Sequence, residues 1–154
     1  MRFRSCNGLL ASLLLGASLL LGCGAKDVVE QAVNQAQDAA ATDQTRDQLK
    51  VLGIAYHNHH DAQNRGPADW DEAIASASDP AAVQALRDKG YQVAWGLRLR
   101  DVTVGTSNFV LAYKPEDLNA GGYVLMMDGA VIHRPAEEIQ AALDAQKDIK
   151  PAAS

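Results

Sequence analysis

Cysteine is scarce in this chain: of 154 residues, two are cysteine, Cys6 and Cys23. Cys6 falls inside an N-terminal segment that reads as a leader. After removal of that leader one cysteine remains, and a monomer with one cysteine forms neither an internal disulfide nor a cysteine-based zinc site. Stability then has to come from packing. Basic charge is scarce too: 14 Lys and Arg stand against 19 Asp and Glu, a formal charge of −5. Losing Arg2 and Arg4 with residues 1–22 leaves 12 against 19, or −7. Phosphate backbones are bound by clustered Lys and Arg, so this balance argues against nucleic acid as a partner. It also offers no polybasic help in attachment to a membrane surface. Long apolar runs are missing. The longest, Leu9 to Leu21, is about 13 residues, short of the roughly 20 that a membrane-spanning helix needs. There is no Gly-x-Ser-x-Gly elbow, no phosphate loop and no His-Glu-x-x-His zinc pattern, so no catalytic set emerges and the chain is not expected to be an enzyme.

What is present begins with the leader. Arg2 and Arg4, then an uncharged run of Leu, Ala, Ser and Gly, make a secretory signal over residues 1–22. Leu20-Leu21-Gly22-Cys23 resembles the bacterial lipobox. That resemblance implies cleavage before Cys23, acyl chains on its sulfur and amine, and a protein lipid-anchored to a membrane of the cell envelope, facing the periplasm or exterior.

The remaining chain, 47% hydrophobic and 21% charged over its full length, has the composition of one globular domain. Residues 23–41, rich in Ala, Gln and Asp, read as a stalk that is helical in part, because its helix propensity is good and its apolar content thin. Thr42 or Asp43 is placed to cap the next helix, Asp43 to Asn64. On that helix Leu49, Leu52 and Tyr56 share one stripe and Val51 and Ile54 lie nearly opposite, the pattern of a helix buried on two sides. Arg65-Gly66-Pro67 ends it through a left-handed glycine. Asp69 and Asp79-Pro80 start two short helices, the second closed by Gly90. The alternation from Tyr91 onward predicts a strand, Gly105 to Asn108 a turn, Phe109 to Tyr113 a second strand, and Glu116 to Gly121 a loop. Two further strands, Gly122 to Met127 and Ala130 to His133, flank Asp128-Gly129, read as a type I′ hairpin turn. Pro135 to Lys147 reads as a C-terminal helix and residues 148–154 as a frayed tail. The domain therefore spans residues 42–147 and its class is α+β: a long N-terminal helix on a small antiparallel sheet, short helices between, and a C-terminal helix.

One group of side chains invites chemistry. His57 and Asp61 are one turn apart and His57 and His60 three residues apart, so these three converge on a patch near Asn64, with His133 the obvious further ligand. A metal-binding or metal-sensing role for His57, His60, Asp61 and His133 is one reading. The other is structural, with polar rings capping the helix end or bonding to the loop that follows. No cofactor is called for. Asp128 is explained by its turn, and Thr106, Ser107 and Asn108 by theirs.

Two stretches, DQLKVLGIAYHNHHDAQNRGP and GGYVLMMDGAV, are similar to the two end segments of the pilin-like secreted proteins of unknown function expanded in planctomycetes (domain of unknown function 1559). Leu49, Lys50, Gly53, His57, Asn58, His60 and Asp61 carry the first match and the Asp128-Gly129 hairpin the second; together they cover roughly a fifth of the chain. The resemblance implies a pilin-like fold and no catalytic residues. The chain departs from it by having a lipobox and a polar stalk in place of a hydrophobic assembly helix, and by His59 where an aromatic is usual. The function expected is that of a lipid-anchored envelope protein with a structural or interaction role.

Overall fold

Nothing between Ala25 and Leu52 breaks a helix: the stretch holds neither glycine nor proline. In the computed structural model, which describes residues 25–151 and their side chains from residue 30, helix α1 (Ala25–Gln63) accordingly runs for 39 residues. The signal segment and Cys23 lie outside the described residues. The expected start at Thr42 or Asp43 is therefore overturned. With no breaker before them, both residues sit inside the helix, and the Thr42 hydroxyl donates back to the Asp38 carbonyl at 2.8 Å instead of capping. The structure divides into two compact units, one ending at Ala36 and the other beginning at Gln37. In the first, every side chain from Glu30 to Ala36 is exposed.

The second unit contains the sheet and the other helices. Helix α2 (Trp70–Ala75) is capped by Asp69, whose carboxylate accepts from the Glu72 amide at 3.0 Å. Helix α3 (Pro80–Asp88) is capped by Asp79, which accepts from the Ala81 and Ala82 amides. Both short helices start where aspartate and proline placed them. Strands β1 (Gln92–Val93), β2 (Val110–Tyr113), β3 (Gly122–Met126) and β4 (Val131–Arg134) form an antiparallel sheet in the order β1-β2-β3-β4. A one-turn helix, α4 (Asp117–Ala120), occupies the expected Glu116–Gly121 loop, and α5 (Ala136–Gln146) closes the chain. The class is α+β, with the long helix on one face of the sheet.

The core lies on both faces. On one, Leu49, Leu52 and Tyr56 of α1 pack with Leu111, Ala112, Leu125 and Met127. On the other, Val110, Val124 and Met126 pack with Ile139, Ala142 and Leu143 of α5. This division follows the period-2 alternation of β3. In β2 it is broken by a bulge: Val110 pairs with Met126 but Ala112 pairs with Leu125, so Leu111 is the extra residue. A bulge turns two successive side chains toward the same face, which is why Leu111 and Ala112 share one cluster. Each fully buried Leu or Met contributes about 1.5–3 kcal/mol toward a net stability of about 5–15 kcal/mol, so the Leu49–Leu52–Tyr56 stripe alone decides whether α1 docks. Of the opposite pair, Val51 is partly buried at the edge of the core cluster but Ile54 is 54% exposed, so α1 is buried on one broad side and not on two.

Four other expectations change. The left-handed residue ending α1 is Asn64 (φ 56), whose amide donates to the His60 carbonyl at 2.7 Å, not Gly66; asparagine tolerates this conformation. Gly66 is required for a different reason, since a Cβ there would overlap the Tyr56 ring. The strand expected from Tyr91 to Val104 lasts two residues, because Gly96 (φ 70) turns the chain and the backbone pairs instead with the loop after α1. The Gly66 amide donates to the Leu97 carbonyl and the Gly96 amide to the Pro67 carbonyl, both at 2.8 Å. In the hairpin, Asp128 does not take positive φ and Gly129 does (φ 87). The Gly129 amide donates to the Met126 carbonyl at 3.0 Å, giving a three-residue connection with a left-handed glycine rather than type I′. Residues 148–151 are not frayed: Ile149 packs against the core and Pro151 approaches Gly96.

Candidate functional site

The polar end of α1 scatters its side chains. Residues 57, 59, 60 and 61 advance about 100° each around the helix, and three different elements receive them. His57 faces the hairpin: its Nε2 is shut from solvent without a hydrogen-bond partner and lies beside Gly129. His60 turns to the 3-10 turn Leu99–Asp101, where its Nε2 accepts from the Leu99 amide at 3.4 Å. Asp61 points outward, its side chain 83% exposed, 3.7 Å from His60 Nδ1. His133 is exposed on β4 with its ring edge-on to Tyr123, centroids 5.3 Å apart. His57 and His133 line different clefts, and among the described residues no group of three or more His, Cys, Asp or Glu is placed to hold a metal ion. Of the two readings of His57, His60, Asp61 and His133, the described side chains are arranged as the structural one has it, because helical rotation sends neighbouring side chains to different partners.

His59 proves to be an anchor for α2. Its Nδ1 lies 3.1 Å from Ser76 Oγ. Since the Ser76 hydroxyl already donates to the Glu72 carbonyl at 3.0 Å, it accepts from His59, and Nδ1 carries the proton. His59 Nε2 is 3.2 Å from Glu72 Oε2. Glu72 also takes a two-pronged contact from Arg65, at 2.8 and 2.9 Å, and the Ala68 amide at 2.8 Å. The Arg65 guanidinium first, and then the amide, hold this carboxyl down at about 2. Tyr56 performs the same service in the core. Its hydroxyl donates to the Ala94 carbonyl at 3.1 Å and accepts from the Leu97 amide at 3.2 Å, and burial pushes the phenol well above its ordinary value.

Two clefts remain. One, of about 370 Å³, is lined by Lys50, Ile54, His57, Asn58 and the hairpin residues Asp128 and Gly129. It forms where the C-terminal part of α1 meets the β3–β4 hairpin: the backbones approach closely because Gly53 lacks a side chain, and a Cβ there would touch Leu125 and face Gly129. The other, of about 450 Å³, is lined by Asp38, Thr42 and Thr45 of α1 and by Tyr91, Asp117, Tyr123 and His133. Asp117 lies directly over Gly122, where a Cβ would overlap its carboxylate. Its Oδ2 is shut from solvent and without a partner, and burial raises this carboxyl above its ordinary value. Tyr91, also buried, is pushed up to about 12 by burial and by the charge of Asp117. Of this group the sequence offers only His133 as a candidate ligand. The adjacent Gly121-Gly122 pair was the available signal, since glycine marks a close approach of another group to the backbone.

No family model matches this chain, and no curated protein or solved structure matches it with significance.

Proposed function

We propose that this protein is a bacterial envelope lipoprotein, held at a membrane by acyl chains on Cys23, whose α+β domain serves a non-catalytic structural or interaction role in a pilin-like arrangement. The observation that carries the reading is the meeting of the two pilin-like segments at Gly53, Leu125 and Gly129. Of the residues that looked like a reactive cluster, His59 bonds to α2 and His60 to the Leu99 turn, and His57 lies against the hairpin. The N-terminal side supports the anchor. Helix α1 starts at Ala25, two residues beyond Cys23, and its side chains from Glu30 to Gln44 are all exposed, as a segment joining an anchor to a domain requires. None of the described helices is long and apolar enough to cross a membrane.

Expression of the full chain in a bacterial host, with radiolabelled palmitate and with globomycin to block lipoprotein signal cleavage, tests this. The expected result is label on the wild-type chain, a larger precursor under globomycin, and neither in Cys23→Ser. A Cys23→Ser variant that partitions with membranes as completely as the wild type overturns the anchor.

A further inference from the structure

We propose that the cleft beside His133 binds a small primary amine in its ammonium form, the charge facing Asp117 and the alkyl part lying against the rings of Tyr91 and Tyr123. At about 450 Å³ the cleft falls within the range of small-ligand sites. Its lining includes two carboxylates, Asp38 and Asp117, and neither lysine nor arginine.

The hydrogen-bonding character of the walls is one-sided. The Thr42 hydroxyl spends its proton on the Asp38 carbonyl at 2.8 Å and the Thr45 hydroxyl on the Ala41 carbonyl at 3.0 Å, so both offer lone pairs only. The carboxylates are acceptors as well. Such a surface calls for a ligand rich in N–H donors. The molecule already uses part of it in this way, since the Lys89 ammonium donates to Thr45 Oγ at 3.0 Å and to Gln48 Oε1 at 2.7 Å. Thr42, Asp38 and Asp117 are left for an ammonium from outside.

Asp117 supplies the second argument. It is held over the bare backbone of Gly122 with one oxygen cut off from water and unpartnered, a costly placement for a carboxylate that nothing in its surroundings fully compensates. A cation in the cleft offsets that cost through its charge. A bare divalent ion does not fit, since no three His, Cys, Asp or Glu side chains converge among the described residues. The inference is independent of the lipid on Cys23.

The test is isothermal titration calorimetry of the full chain in detergent with 1,4-diaminobutane, with tetramethylammonium and calcium chloride as comparisons. Saturable binding of the diamine is expected, weakened about 10- to 100-fold in Asp117→Asn, as the loss of a charged hydrogen-bond partner implies. Thr42→Val, on the exposed face of α1 where folding is not at stake, is expected to weaken it to a smaller degree, so the proposal stays testable if Asp117→Asn fails to fold. No saturable diamine binding, or an affinity unchanged in the folded variants, overturns the site. Tetramethylammonium or calcium binding as tightly as the diamine overturns the assignment to an N–H donor.

Discussion

Gln146 is the most exposing test of how this fold is held together. It is the last residue of α5 and is buried. Its side-chain amide takes both backbone groups of Val110: Oε1 accepts from the Val110 amide at 2.7 Å and Nε2 donates to the Val110 carbonyl at 2.8 Å. Strand β1 ends at Val93 opposite Ala112, so at Val110 the neighbouring strand is gone and the glutamine replaces its peptide group. Replacing Gln146 with Leu keeps the bulk and removes both partners. Each buried backbone group left unsatisfied costs about 1–3 kcal/mol, which gives about 2–5 kcal/mol after allowing for partial relaxation. Equilibrium urea unfolding reads this as a lower midpoint at constant slope, and the Val110 amide should lose hydrogen-exchange protection. Gln146→Glu separates the hydrogen bonds from the packing. Burial raises a carboxyl's folded-state pKa above its unfolded value, so this variant is most destabilised at neutral pH, where the buried charge faces the Val110 carbonyl. It regains stability as pH falls through the folded-state pKa and the protonated acid again both donates and accepts. A cost for Gln146→Leu no larger than that of the exposed Gln140→Leu, or a Gln146→Glu penalty independent of pH, refutes the reasoning.

Gly66→Ala drives a Cβ into the Tyr56 ring and is expected to cost at least about 1–3 kcal/mol, the usual range for overpacking, by thermal or urea unfolding. On α1, Leu52→Ala should cost about 2–5 kcal/mol, whereas Ile54→Ser, two residues on and exposed, should stay within about 0.5 kcal/mol; equal costs would mean that α1 docks on both sides. Glu72→Gln should destabilise the chain at pH 7. Because Arg65 holds the folded-state carboxyl near 2, below an unfolded value of about 4.3, the stabilisation is present above the unfolded value. The gap to the wild type should close as pH falls from that value toward 2, and the effect should be modest since the side chain is 35% exposed.

Local chemistry carried the legible part of the fold. Asp69 and Asp79-Pro80 start their helices where capping demands, because a cap needs only the amides of its own first turn. Asp128-Gly129 placed a hairpin for the same reason, although its turn type depended on the whole connection. The strand expected after Tyr91 failed because alternation reports which side chains are buried and not what their backbone pairs with. Tyr91 and Leu97 are indeed buried and Val93, Trp95 and Leu99 partly so, yet Gly96 and the Pro67 carbonyl take that segment out of the sheet.

The sequence by itself determined the class, the order of the elements, the burial stripe Leu49–Leu52–Tyr56 and the acidic, cysteine-poor character, since each follows from composition or from neighbours within a few residues. Only the tertiary structure decided where the polar side chains go. His57, His59 and His60 are adjacent in sequence, yet rotation about α1 delivers them to the hairpin, to α2 and to the Leu99 turn. Asp117 and His133, 16 positions apart in the numbering, reach one cleft because the β3–β4 hairpin folds the chain back. Gln146 finds Val110 only once α5 lies across the sheet. Such partners are set by long-range packing, which no local pattern encodes.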